Sequence, residues 1–267
     1  MQQVTSQVES QVGGAGSPLL RSLLHGPPAT GTVVHAGRQA VYADLGGRIL
    51  GVLARGAVHV PCAIATALPE LPDLPGIAVG APVATGSGTL RVGPLGVGLT
   101  RLVSFATPPL SPAAARRLLA VPVDLAPARD QLPADALERL AAADPAAVSA
   151  LVGRGDGLTP VGDDVLSGWL VATRAAGGDT HAVAAAVRER LPRTTGLSAT
   201  LLRHAADGEA ITPFRSALAT GDPAAVAALL AVGHTSGAGM LLGAHLALSS
   251  RDSQSAITNE ALEGSTR

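Results

Sequence analysis

No lysine occurs anywhere in the 267 residues, so every basic side chain apart from histidine is arginine. That excludes a lysine Schiff base and the lysine anchor of a P-loop phosphate site. Aromatic residues make up 1% of the chain. So few rings offer little for nucleobases to stack on, and no nucleic-acid ligand is expected. Cys62 is the single cysteine, which leaves no internal disulfide and no cysteine-cluster metal site. Its surroundings, Val58-His59-Val60-Pro61-Cys62-Ala63-Ile64, are apolar and read as a strand carrying a small buried thiol. No apolar run reaches the roughly 18–20 residues that span a bilayer. The formal net charge of −1 gives no general attraction to nucleic acid or to a membrane surface. The opening residues lack the basic start and apolar core of a secretory signal, so the expected location is the cytoplasm.

What is present divides near residue 110. A polar, Gly/Ser-rich stretch over 1–17 reads as a flexible terminus. From 18 to 110, short apolar runs alternate with Gly and Pro: Thr32–His35, Ala40–Leu45, Ile49–Leu53, Val58–Ile64, Val83–Thr85, Thr89–Val92 and Val97–Phe105. Short strands with glycine turns predict a small barrel or sandwich. From 111 to 248 the periodicity is helical, opening on Ser111-Pro112 as N-cap and first turn. Helices are expected over Pro112–Ala120, Pro133–Ala143, Pro145–Val152, Asp164–Ala176, Thr180–Leu191, Ser198–Ala206, Pro213–Ala219 and Pro223–Ala231. Ser236–Leu248 is apolar nearly all round, the pattern of a buried helix. The polar tail over 249–267 is expected to fray. The fold class is therefore α+β, a β-rich half followed by an all-helical half.

Two stretches stand out chemically. Gly153-Arg-Gly-Asp-Gly-Leu-Thr-Pro-Val-Gly-Asp-Asp leads into an apolar helix. Glycine lets a ligand approach the main chain, and a helix start offers unpaired N–H groups to an anion. Gly155, Gly157, Thr159 and Gly162 are the candidate contacts. Asp163 and Asp164 follow as candidate catalytic carboxylates, although an acid at a helix start is also favoured by capping and by the helix dipole. The spacing matches neither a P-loop nor a dinucleotide fingerprint. The second stretch, Gly233-His234-Thr235-Ser236-Gly237-Ala238-Gly239, also opens a helix. Its His234 is a candidate donor or proton shuttle, with Thr235, Ser236 and Gly237 as binding residues. The competing reading is close helix packing through Gly239 and Gly243. Thr195 and Ser198, with Arg203 and His204 beyond them, are candidates for the same cleft or for an ordinary capped helix. His25, His35, His59, His181 and His245 show no ligand spacing and read as surface or satisfied core residues.

Taken together, Gly-x-Gly-x-Gly-Leu-Thr-Pro-x-Gly-Asp-Asp-x-Leu-x-Gly and the later Gly-His-x-Ser-Gly-x-x-x-Leu-x-Gly resemble the AllH-type subunit family of oxamate carbamoyltransferase, over roughly 150–248. Val161 stands where that family often has Ser. The resemblance implies a subunit of a three-component enzyme of allantoin, hence purine, catabolism. The enzyme interconverts oxalurate plus phosphate with oxamate plus carbamoyl phosphate, which a carbamate kinase then consumes. It implies companion subunits and a small anionic substrate: carbamoyl phosphate, oxalurate or oxamate. Two alternatives stay open: a non-catalytic scaffold whose glycines serve packing, and a phosphate enzyme using a divalent cation such as Mg2+ on Asp163 and Asp164.

Overall fold

A computed structural model describes residues 10–71 and 77–249. The chain divides between Phe105 and Ala106 into two compact units.

The first unit is a closed eight-stranded barrel. Its strands are β1 (Ser10–Gly16), β2 (Ala29–Ala36), β3 (Ala40–Asp44), β4 (Ile49–Leu53), β5 (Ala63–Thr66), β6 (Pro82–Gly86), β7 (Thr89–Val92) and β8 (Leu95–Leu102). Around the barrel they run β1-β5-β4-β3-β2-β6-β7-β8, antiparallel except for the parallel pairs β1·β8 and β4·β5. Closure resolves the choice between barrel and sandwich, and it removes the unpaired strand edges an open sheet would present. A helix, α1 (Pro18–His25), follows β1; the Ser17 hydroxyl caps it by accepting from the Leu20 amide at 3.3 Å. Leu20 and Leu24, one turn apart, are buried among Val33, Leu50, Ile64, Val83, Leu90 and Val97.

Three local expectations change in this unit. Residues 10–16, read as part of a loose terminus, form β1, and the expectation for 1–9 lies outside the described residues. Glycine here serves close approach. A Cβ on Gly14 would lie 2.6 Å from Ile64 Cγ2 and 2.7 Å from the Ala65 carbonyl oxygen. The strand expected from Val58 begins only at Ala63, because Pro61 and Cys62 form a turn. Cys62 is buried there, and burial pushes its thiol up to about 12, so it is inert as a nucleophile. Helix α1 was not anticipated, although Leu20 and Leu24 carry its spacing.

The second unit is helical: α2 (Pro112–Ala120), α3 (Ala126–Arg129), α4 (Ala134–Ala141), α5 (Val148–Leu151), α6 (Val161–Ala175), α7 (His181–Arg190), α8 (Gly196–Ala206), α9 (Thr212–Thr220), α10 (Pro223–Leu230) and α11 over residues 236–249. Ser111 caps α2, accepting from the Ala114 amide at 3.1 Å. Helix α6 is buried through most of its length, including Trp169, and packs on α5 and α8. It crosses α11 closely: a Cβ on Gly168 would meet the Met240 carbonyl oxygen at 2.0 Å, and one on Gly243 would meet that of Val165 at 2.0 Å. Residues 250–267, expected to fray, lie outside the described residues. No helix among the described residues is long and apolar enough to cross a membrane.

Candidate functional site

Three loop-to-helix junctions meet in the helical unit. They are the glycine loop before α6, the turn at Thr194 and Thr195 before α8, and the turn before α11. The Thr195 hydroxyl donates to the Leu158 carbonyl at 2.5 Å and accepts from the Ser198 amide at 3.1 Å, so it caps α8 and ties that helix to the glycine loop. The hydroxyls of Thr159 and Ser236 are hydrogen-bonded at 2.9 Å, which joins the first glycine stretch to the second. Gly155 and Gly157 have φ of +110° and +88°, angles that suit glycine and bend the loop outward. Arg154 through Leu158 are exposed, whereas Pro160 to Asp164 are buried.

Helix α6 starts three residues earlier than its periodicity suggests, at Val161, with Pro160 as an N-cap that makes no side-chain bond. Asp163 and Asp164 therefore lie within the first turn, and neither caps the helix. The leading amides are satisfied internally. Gly162 donates to the Arg154 carbonyl at 2.9 Å, while Asp163 and Asp164 both donate to Pro160, at 2.9 and 3.2 Å. Gly237 likewise donates to Val232 at 3.1 Å. The buried ends of both glycine stretches thus keep their N–H groups for the fold. Gly155 and Gly157 are both exposed, but they differ in room: a Cβ on Gly157 would meet nothing within 4 Å, whereas one on Gly155 would lie 2.9 Å from the Val161 amide nitrogen.

The two aspartates differ sharply in what surrounds them. Asp163 accepts from the Gly153 amide at 2.8 Å through one carboxylate oxygen, and from the hydroxyls of Ser198 (2.7 Å) and Thr194 through the other. Burial raises its pKa all the same, because the three donors only partly offset desolvation. Asp163 is a strut that fastens the glycine loop, α6 and α8 together. Asp164 is 3% exposed, and its Oδ2 is buried with no hydrogen-bond partner among the described residues. Burial lifts its pKa well above the usual carboxylate range; the hydroxyls of Ser236 and Thr159 act the other way, and the charge of Asp163 adds to the rise. Burial thus favours the protonated form of Asp164, which lies beside two hydroxyls.

This difference sets an expected pH dependence. A carboxyl whose folded-state pKa is raised binds its proton more tightly in the native protein than in the unfolded chain. The stability it contributes is complete below the unfolded carboxylate range and is lost as pH climbs through the folded pKa. Asp164→Asn removes that loss, so its stability advantage over the wild type should grow as pH rises from the ordinary carboxylate range upward. Urea midpoints measured from pH 4 to pH 8 check this; parallel profiles for the two proteins would contradict the raised pKa.

The remaining candidates separate. His234 is exposed on the turn before α11, and Thr235 lies half-buried beside it with its carbonyl accepting from Gly239. His204 leaves the cleft: its Nδ1 lies 2.6 Å from Glu209 Oε2, at the far end of α8. Arg203 is exposed near that end. His245 is not the satisfied core residue expected. Its Nε2 is buried with no hydrogen-bond partner among the described residues, and burial first, then Arg129, lowers its pKa. Thr194 was missed as a site residue, because a threonine two residues before a helix carries no signal of a tertiary partner.

The pair of aspartates does not suit a divalent cation. Both oxygens of Asp163 are engaged by protein donors, and burial favours the neutral form of Asp164, whereas hard cations require free anionic oxygens. Among the described residues, no group of three His, Cys, Asp or Glu side chains stands together.

Residues 151–248 match the family model of the oxamate carbamoyltransferase subunit AllH. The matched stretch runs from the end of α5 into α11. It contains all three junctions and no part of the barrel. No curated protein and no solved structure matches the chain.

Proposed function

We propose that the chain is a subunit of an oxamate-carbamoyltransferase-type enzyme, and that the three junctions form its site for a small anionic substrate. The observation that carries this reading is the Thr159–Ser236 hydrogen bond. It joins the two glycine stretches, 77 residues apart, within the segment matched to the family. Had those stretches served only to start separate helices, nothing would require their hydroxyls to meet.

The chemistry assigns roles. In oxalurate phosphorolysis, the bond from the carbamoyl carbon to the amide nitrogen breaks. A bond from that carbon to a phosphate oxygen forms, and the proton lost by phosphate ends on the nitrogen of oxamate. A buried, protonated acid suits the delivery of a proton to a leaving nitrogen, and its conjugate base suits the reverse step. Asp164 is that acid, with the Ser236 and Thr159 hydroxyls beside it. The exposed loop around Gly157 suits the phosphate or carboxylate oxygens, and His234 suits the developing charge on the carbonyl oxygen. Asp163 positions these groups without touching substrate. The scaffold alternative keeps one supporting feature, since Gly239 and Gly243 in the second stretch serve helix packing.

The test uses the chain assembled with its companion subunits and measures carbamoyl phosphate formed from oxalurate and phosphate. Asp164→Asn and His234→Ala should each lower turnover about a hundredfold, the usual contribution of one proton-transfer or oxyanion group. Circular dichroism should stay unchanged. Full turnover in both variants would reduce the chain to a scaffold.

A further inference from the structure

The barrel carries a cationic hollow that the proposed reaction does not use. It lies between α1 and β8, has a volume of about 290 Å³, and is lined by Arg21, His25, Leu99, Thr100, Arg101 and Leu102. Arg21 and His25 sit one turn apart on α1, so both project to one side of that helix. Arg101 comes from β8, close to where β1 joins that strand in parallel. The Thr100 hydroxyl donates to the Gly14 carbonyl at 3.3 Å, so its proton is taken and the hollow's donors are the guanidinium groups and the imidazole.

Among the described residues the charge here has no carboxylate partner. Among the described barrel residues the acids are Asp44 and Glu70, against Arg21, Arg38, Arg48, Arg55, Arg91 and Arg101. Glu70 is held by Arg38, whose Nε and a terminal nitrogen lie 2.9 and 2.5 Å from one carboxylate oxygen. The Asp44 carboxylate accepts from the Gly47 amide at 2.6 Å. Neither Arg21 nor Arg101 pairs with a carboxylate among the described residues. Two guanidinium forks facing one concavity match the oxygens of a phosphate or carboxylate, and each can donate two parallel hydrogen bonds.

We infer that this hollow is an oxyanion-binding site, separate from the three junctions of the helical unit, for a small phosphate- or carboxylate-bearing metabolite. Its volume sits at the low end of small-molecule sites, which run from about 300 to 1,000 Å³. That favours a compact ligand over a nucleotide. The inference does not depend on the carbamoyltransferase reading, because none of the lining residues belongs to the junctions.

The experiment is local. The full chain is treated with phenylglyoxal, which modifies accessible arginine, and the rate at each site is read by peptide mass spectrometry. Parallel samples contain inorganic phosphate, malonate, or sodium chloride at matched ionic strength. Phosphate or malonate at ten times its dissociation constant should slow modification of Arg21 and Arg101 about tenfold, and leave the exposed control Arg55 unchanged. Protection by phosphate alone or by malonate alone identifies which oxyanion the site takes. In Arg21→Gln the protection of Arg101 should vanish, and in Arg101→Gln that of Arg21. Both side chains are exposed, so these variants should keep the wild-type fold. Equal protection by chloride, or none by either oxyanion, would overturn the site. Junction variants such as Asp164→Asn should leave the protection intact, so failure here and failure of the proposed reaction are told apart.

Discussion

Gly168→Ala is expected to be among the most damaging single-methyl additions in the helical unit. A Cβ at this position would lie 2.0 Å from the Met240 carbonyl oxygen, with the Met240 carbonyl carbon and Cα at 2.7 and 2.8 Å. All three obstacles are backbone atoms of a buried helix, so no side-chain rotation relieves the clash. The two helices must separate or shift. Alanine is the better helix former by about 1 kcal/mol, but overpacking a well-filled core typically costs about 1–3 kcal/mol and exceeds that range where the obstacle cannot move. A net loss of about 3 kcal/mol is expected, a drop in the melting temperature of about 6–12 °C for a domain of this size. Gly243→Ala should behave alike, since its Cβ would meet the Val165 carbonyl oxygen at 2.0 Å and the Trp169 amide at 2.7 Å. Gly98→Ala is the control, because its nearest obstacle is the Gly88 carbonyl oxygen at 3.5 Å. Thermal unfolding followed by circular dichroism decides the matter. An unchanged midpoint for Gly168→Ala would mean that α6 and α11 do not approach as described.

The second large effect is expected from Asp163→Ala. Its carboxylate is the shared acceptor for a backbone amide from the glycine loop and for two hydroxyls from the junction into α8. Truncation leaves those donors facing an apolar gap, at about 1–3 kcal/mol for a buried group left unpaired. The loss is partly offset because a poorly solvated charge disappears as well. A total of about 3 kcal/mol is expected, against about 1 kcal/mol for Ser198→Ala or Thr194→Ala, each of which removes a single donor. Asp163→Asn should fall between, since the amide oxygen still accepts from Gly153 and the two hydroxyls can turn to accept from its nitrogen. Urea unfolding of the four variants gives the ranking. If Asp163→Ala cost no more than Ser198→Ala, Asp163 would not be the strut that joins the junctions.

How far the sequence discloses this protein varies from element to element. Ser111-Pro112 and the apolar run after Ser236 announce α2 and α11 plainly, because capping and periodicity act locally. The start of α6 is harder to see. Pro160, Val161 and Gly162 look like a loop, and only tertiary burial draws them into the helix. The same limit hides the division of labour between Asp163 and Asp164. Identical side chains, adjacent in the chain, differ because one meets Thr194 and Ser198 from the junction into α8 while the other turns toward Ser236 from α11. Strand β1 is the opposite case. Its glycines read as looseness when considered alone, and they become a strand only because Ile64 and Ala65 leave no room for a side chain. The convergence of the two glycine stretches was legible as chemistry, since both carry hydroxyls and small residues at a helix start. The hollow between α1 and β8 was not, because its arginines lie 80 residues apart and α1 itself went unseen.

The parallel pairing of β1 with β8, from Ser10 opposite Leu95 to Gly16 opposite Leu102, bears on how the protein is made. A chain leaving the ribosome emits β1 before either of its partners; β5 can then pair with one edge of β1, but the other edge waits for the eighth strand. Up to that moment the barrel is an open sheet with two bare edges, the state most prone to pairing with a neighbouring nascent chain. Contacts that span so much sequence form slowly. Translation pace and chaperone supply while β1 to β8 emerge should therefore weigh on the yield of folded protein.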